Sequence, residues 1–232
     1  MSSHETVKVV LIGEAGVGKT CIVNRYISNK FDSEELTSIS AQFISKIIDF
    51  PELGKQLKFD IWDTAGQEKF RSLAKIFYKD SKIICLCYDI TSKRSFDELR
   101  DYWYEKEIKE NLEDDTILVV VANKSDLYIN QEVKDDEGKK FAKDINAFFQ
   151  STSAKSKQGI DELFEKIGHK FLDPNFDINS IENKEKAEYE KKKNEKEKQT
   201  YIPQTQSRKV KIQPLKNDNQ NTISNTKKGC CK

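Results

Sequence analysis

Apolar positions along the chain fall into short continuous or alternating runs separated by stretches of helical spacing. The runs predict strands near Val7–Ile12, Ala41–Phe50, Gln56–Trp62, Ile83–Asp89, Ile117–Ala122 and Ala147–Ser151. Helical periodicity predicts helices over Gly18–Ser28, Lys69–Tyr78, Ser95–Asn111, Lys134–Asp144 and Ile160–Leu172, the third with Thr91 or Ser92 as its cap. Between the second and third strands, Phe50-Pro51-Glu52-Leu53-Gly54 is turn chemistry, so these two should pair as an antiparallel hairpin. The remaining connections carry helices and should be parallel crossovers. Runs such as ILVVVA from Ile117 suit strands covered on both faces, which points to an α/β fold whose open sheet binds ligand at the carboxyl ends of its strands.

After Leu172 the pattern stops. Residues 173–232 are dominated by Lys, Glu, Asn and Gln and carry a net charge of +5, against −4 for the rest of the 232-residue chain. The reading is one domain over 1–172 and a disordered tail over 173–232 that serves as a spacer. The near-zero overall charge argues against a nucleic-acid partner, and a cationic tail suits an anionic membrane surface. No run approaches the roughly 18 apolar residues of a spanning helix, and MSSHETVK lacks a signal-peptide core, so a cytoplasmic protein is expected. The five cysteines show no zinc spacing, and Cys85 and Cys87 read as core filler on one strand face.

Candidate chemistry sits where the strands end. GEAGVGKT, Gly13 to Thr20, comes after the first strand and fits GxxxxGK[ST]: backbone N–H groups converge on a phosphate, Lys19 adds a charge and the Thr20 hydroxyl serves Mg²⁺. Asp63-Thr64-Ala65-Gly66-Gln67 comes after the third strand, offering an acid for the metal and a Gly66 N–H that senses a terminal phosphate. Asn123-Lys124-Ser125-Asp126 comes after the fifth; the Asp126 carboxylate matches the N1–H and exocyclic amine of guanine, a donor pair that adenine lacks. Ser153-Ala154-Lys155 comes after the sixth, where a backbone N–H can meet guanine O6.

Four such strings in this order resemble a Ras-superfamily small GTPase, and WDTAGQEKFRSL, FYKDS and CYDIT resemble the Rab family within it. The resemblance covers roughly residues 5–172. It implies the P-loop small GTPase fold: a six-stranded mostly parallel sheet with one antiparallel strand and five helices. It also implies GTP/GDP binding with Mg²⁺ and two switch segments. Ala15, Gly16, Val17, Gly18, Lys19, Thr20 and Cys21 would contact the nucleotide, with Phe31, Ser38, Gly66, Asn123, Lys124, Asp126, Ser153, Ala154 and Lys155. Thr20, Ser38 and Asp63 would hold the metal, Gln67 would orient the attacking water, and Phe43, Trp62 and Tyr78 would read effectors. The ending KKGCCK resembles a double-cysteine prenylation site at Cys230 and Cys231, in which two lipid chains anchor where one is marginal.

The resemblance implies a slow GTPase switch in vesicle trafficking, acting as a monomer. Its partners would be an exchange factor, a GTPase-activating protein, a GDP-dissociation inhibitor, an escort protein and effectors. It would cycle from the cytoplasm onto intracellular membranes. Two rivals are a binding-only relative with impaired hydrolysis, suggested by Ser38-Ile39-Ser40 in place of Thr-Ile-Gly, and a P-loop phosphotransferase using ATP, which NKSD opposes. A Ras- or Rho-type signalling GTPase lacks support, because the chain has no C-a-a-X end. Ala15, where Rabs usually have Ser, should slow hydrolysis modestly.

Overall fold

A computed structural model describes residues 4–32, 41–64 and 76–177. The chain divides into two units, 1–186 and 187–232, and the second lies entirely outside the described residues. Six strands form one sheet: β1 (Glu5–Ile12), β2 (Gln42–Phe50), β3 (Lys55–Asp63), β4 (Ile83–Asp89), β5 (Ile117–Asn123) and β6 (Phe148–Ser151). Their spatial order is β2-β3-β1-β4-β5-β6, with β2 antiparallel to β3 and every other neighbouring pair parallel. The sequence-based strands stand within two residues at each end. The hairpin turn is a short 3-10 stretch, Pro51–Leu53, closed by Gly54 in the left-handed conformation.

Residue identity explains which strands are covered twice. β4 (IICLCYD) is buried at every position, whereas β3 alternates, burying Leu57, Phe59, Ile61 and Asp63. That alternation delivers Asp63 to the same face as three apolar neighbours, one step beyond the core.

Four helices are described: α1 (Lys19–Ser28), α2 (residues 93–108), α3 (Asp135–Asp144) and α4 (Ile160–Leu172). Helices α1 and α4 cover one face, joined through Val9, Leu11, Ile22, Phe59, Cys85, Cys87, Phe164 and their neighbours. Tyr26 of α1 stacks on Phe164 of α4 with ring centroids 3.6 Å apart. The other face packs Val10, Leu86, Tyr88, Phe96, Leu99, Trp103 and Phe141 beneath α2 and α3. Cys85 and Cys87 are fully buried, as core filler should be.

Helix α2 begins at Lys93 behind Ser92, whose hydroxyl accepts the Ser95 N–H at 3.2 Å. It is α-helical over Lys93–Glu98 and continues with wide π-type turns over Leu99–Ile108, where the Lys109 N–H reaches the Tyr104 carbonyl five residues back. The expected helix over Lys69–Tyr78 falls mostly outside the described residues; Ile76 to Tyr78 are helical. A 3-10 segment over Ser125–Asn130, directly after β5, was not expected from periodicity. Among the described residues no helix is long and apolar enough to cross a membrane.

Candidate functional site

The parallel strands β1, β4, β5 and β6, together with β3, release their next segments at one end of the sheet, and the residues singled out by sequence meet there. The loop from Gly13 to Gly18 is shaped by glycine where a side chain has no room. Gly13 has φ +146°, and a Cβ there would overlap the Cys87 carbonyl oxygen; Gly18 has φ +92°, and a Cβ there would overlap the Asn123 amide nitrogen. Gly18 then caps α1, leaving the first turn's N–H groups to face the loop's concavity. Within the loop Val17 is buried, while Ala15 and Gly16 are exposed. Cys21 comes next, half-buried, in the first turn of α1.

Lys19 is 5% exposed, and its Nζ donates to the loop's own carbonyls, Gly13 O at 2.8 Å and Glu14 O at 2.9 Å. Burial pushes its pKa down, opposed first by the nearby Asp63 charge. The ammonium is therefore desolvated but held inside the loop, ready to be shared with an anion. The Thr20 hydroxyl donates to Asp63 Oδ2 at 2.6 Å. A hydroxyl and a buried carboxylate in contact beside a phosphate loop are hard oxygen donors of the kind Mg²⁺ prefers, so the residues present fit the ion. Among the described residues no cluster of three or more His, Cys, Asp or Glu side chains could hold a metal unaided.

Asn123, at the end of β5, joins the two halves of the site. Its Nδ2 donates to Val17 O at 2.8 Å, and its Oδ1 accepts the Thr152 hydroxyl at 3.1 Å. One buried amide thus ties the phosphate loop, the β5 end and the β6 end together. Lys124 has φ +65° and pairs with Asp89 at 2.6 Å, a carboxylate fixed by the Thr91 N–H and hydroxyl. Ser153 donates its hydroxyl to Asp126 Oδ1 at 2.6 Å and accepts the Ser156 N–H, so the loop after β6 orients the acid of the loop after β5. Ala154 is buried and Lys155 exposed, and both carbonyls are taken by Arg25: Nε to Ala154 O at 2.7 Å and Nη2 to Lys155 O at 2.9 Å. Phe31 is 36% exposed, with the Arg25 guanidinium 5.8 Å from its ring centroid.

Sequence alone does not single out Arg25, Asp89, Thr152 or Glu14. Arg25 carries no signal, since its partners are backbone carbonyls, two of them far along the chain. Asp89, by contrast, stands at the end of a strand, the position that identified Asp63.

Of the three candidate effector-reading aromatics, Phe43 is 51% exposed and lies against Trp62 with centroids 5.0 Å apart. Tyr78 is buried, its hydroxyl donating to Glu107 O at 2.8 Å, and burial, then Glu107, pushes its pKa up to about 12. Phe77, not Tyr78, is the aromatic against Trp62, with centroids 5.8 Å apart. Ser38, Gly66, Gln67, Cys230 and Cys231 lie outside the described residues.

Comparison with known proteins agrees with this geometry. The Ras family model matches residues 8–173. The chain is 39% identical to Ras-related protein RabJ of Dictyostelium discoideum over 165 residues, covering 71% of this chain and 63% of RabJ. It is 41% identical to human Ras-related protein Rab-21 over 157 residues, 68% of each chain. It is 34% identical to Ras-related protein SEC4 of Candida albicans over 160 residues, 69% of this chain and 74% of that one.

Proposed function

Because the chain belongs to the Ras family and is a Rab-type small GTPase, we propose that it binds GTP and GDP with Mg²⁺, hydrolyses GTP slowly and recruits effectors to membranes in vesicle traffic. The observation that carries the nucleotide reading is the placement of Asn123, whose amide fixes the phosphate loop through Val17 and the base loops through Thr152. A ligand spanning both would need a phosphate at one end and a hydrogen-bonding base at the other.

In this reading Ala15 to Cys21 receive the phosphates through backbone N–H groups and Lys19. Asp126, oriented by Ser153, selects guanine; Lys124, Ala154, Lys155 and Phe31 complete the base pocket. Thr20, Ser38 and Asp63 would hold Mg²⁺, which would supply positive charge to offset that of the phosphates. Gly66 senses the last phosphate and Gln67 orients water. Lys19 and the loop N–H groups stabilise charge that develops on the departing phosphate oxygens. No arginine among the described residues donates into the loop, which favours a low intrinsic rate raised by an activating protein. Phe43 and Trp62 form the displayed part of the effector surface, and Tyr78 belongs to the buried cluster against which Trp62 and Phe77 pack. The domain over 1–172 would be joined by the 173–232 spacer to lipids on Cys230 and Cys231, placing the protein on the cytosolic face of intracellular membranes between cytoplasmic cycles.

The test is competition against a fluorescent GDP analogue. GTP and GDP should displace it at least about a thousandfold better than ATP, the ratio that a site built around polar base contacts can reach; equal displacement by ATP would overturn the reading. The Ser38-Ile39-Ser40 sequence favours a second reading, a relative that holds GTP without cleaving it. Single-turnover phosphate release separates the two.

A further inference from the structure

Glu14 is the only acid within GEAGVGKT, and a carboxylate beside a phosphate cradle opposes an anionic ligand. The structure turns it away. While its backbone carbonyl accepts Lys19, its side-chain Oε1 accepts the Trp103 indole N–H at 3.0 Å, a bond that spans 89 residues. Trp103 is 1% exposed and packs edge-on against Tyr102, with centroids 5.4 Å apart and planes at 87°. It lies within the π-type part of α2, a rare helical form that is frequent at functional sites. A rigid, buried donor thus reaches from the helix layer to the first residue after Gly13.

Resting on the guanine-nucleotide reading above, we propose that Trp103 is a positioning residue for nucleotide binding: its indole N–H holds the Glu14 carboxylate toward α2 and off the phosphate cradle, leaving the Lys19 charge for the ligand. Glu14 and Lys19 are near enough to interact, since the carboxylate is among the charges that favour the Lys19 ammonium. Without its donor, Glu14 can swing toward Lys19 and compete with the phosphates. Trp103→Phe removes the N–H and keeps an aromatic ring in the core.

GDP release from the full-length protein tests this. The Trp103→Phe variant should release GDP about tenfold faster in roughly 0.01 M salt, and the difference should shrink near 1 M salt, where the screening length falls to about 3 Å. Adding Glu14→Ala should restore slow release, because no carboxylate remains to be misplaced. A packing role alone would give faster release that neither salt nor Glu14→Ala corrects, and that result overturns the proposal. An unchanged rate in Trp103→Phe overturns it too while leaving the functional reading intact; failure of the parent to retain any guanine nucleotide overturns both. If Trp103→Phe does not fold, the indole proton resonance decides. Trp103 is one of two tryptophans, and its N–H signal should move upfield in Glu14→Ala; an unmoved signal overturns the latch.

Discussion

Ser153 donates its hydroxyl to the Asp126 carboxylate at 2.6 Å, joining two loops 27 residues apart in sequence. If Asp126 recognises the base as proposed, it needs that partner, because a carboxylate that meets a base must be held in one rotamer before the base arrives. Ser153→Ala should therefore weaken GDP binding by about 1.5 kcal/mol, roughly tenfold in Kd, as for loss of one charge-assisted hydrogen bond. Asp126→Ala should cost more, about a hundredfold or beyond, since two base contacts go with it. Titration of each variant with a fluorescent GDP analogue measures both; an Asp126→Ala protein as tight as the parent would remove Asp126 from the base pocket.

Two glycines of the phosphate loop should fail in different ways when replaced by alanine. At Gly13 the obstacle is the Cys87 backbone carbonyl, which belongs to the part of β4 registered against Val121 of β5 and cannot move without disturbing that pairing. Gly13→Ala should cost about 3 kcal/mol or more of stability, seen as a lower urea midpoint. At Gly18 the obstacle is the Asn123 side-chain amide. Gly18→Ala also bears left-handed strain, yet its larger effect should be on nucleotide release, because the Asn123 bond to Val17 is displaced.

How much of this was legible in the sequence depends on the range of each interaction. β3 announced itself through strict alternation, and Lys19 and Thr20 through fixed spacing from Gly13, since both signals lie within a few residues. The wide turns of α2 were hidden because apolar spacing near 3.6 residues does not distinguish an i−4 from an i−5 hydrogen bond. Tyr78 could be identified as an aromatic but not oriented: the ring's burial and its bond to the Glu107 carbonyl are set by a helix 29 residues away. The Trp103–Glu14 contact was invisible for the same reason, since neither residue's neighbours encode the other.

Arg25 is the clearest case of a long-range brace. Its guanidinium holds the carbonyls of Asn29, Ala154 and Lys155 at once, pinning the end of α1 to the loop after β6. A lysine cannot reproduce that fork. Arg25→Lys should leave the melting temperature within a few degrees, about 1 kcal/mol, while speeding GDP release by roughly fivefold. Stopped-flow displacement checks the rate, and an unchanged rate would make the brace merely structural.

Two buried thiols lie beneath the phosphate loop. Burial is the main cause that pushes the Cys87 pKa up from 9.0 to about 12, with Lys19 pulling it down and Asp63 raising it further; burial also raises Cys85. A thiol must ionise to react, so neither should be alkylated in the folded protein near pH 8, whereas half-buried Cys21 should be labelled first of the three. The same shift sets a pH dependence. Below pH 9 Cys87 is protonated in both folded and unfolded chains and costs nothing. Between pH 9 and about 12 the unfolded chain releases the proton that the folded chain keeps, so stability falls as pH rises through that window. Cys87→Ala should make this alkaline limb shallower, leaving the share that comes from Cys85, Tyr26 and Tyr88, while lowering stability at pH 7 by about 1 kcal/mol for the lost packing. Peptide mapping after brief alkylation, combined with urea midpoints from about pH 7 to 10.5, measures both effects. Labelling of Cys87 as fast as Cys21 in the folded state would mean that the layer between β4 and the phosphate loop opens far more readily than its complete burial implies.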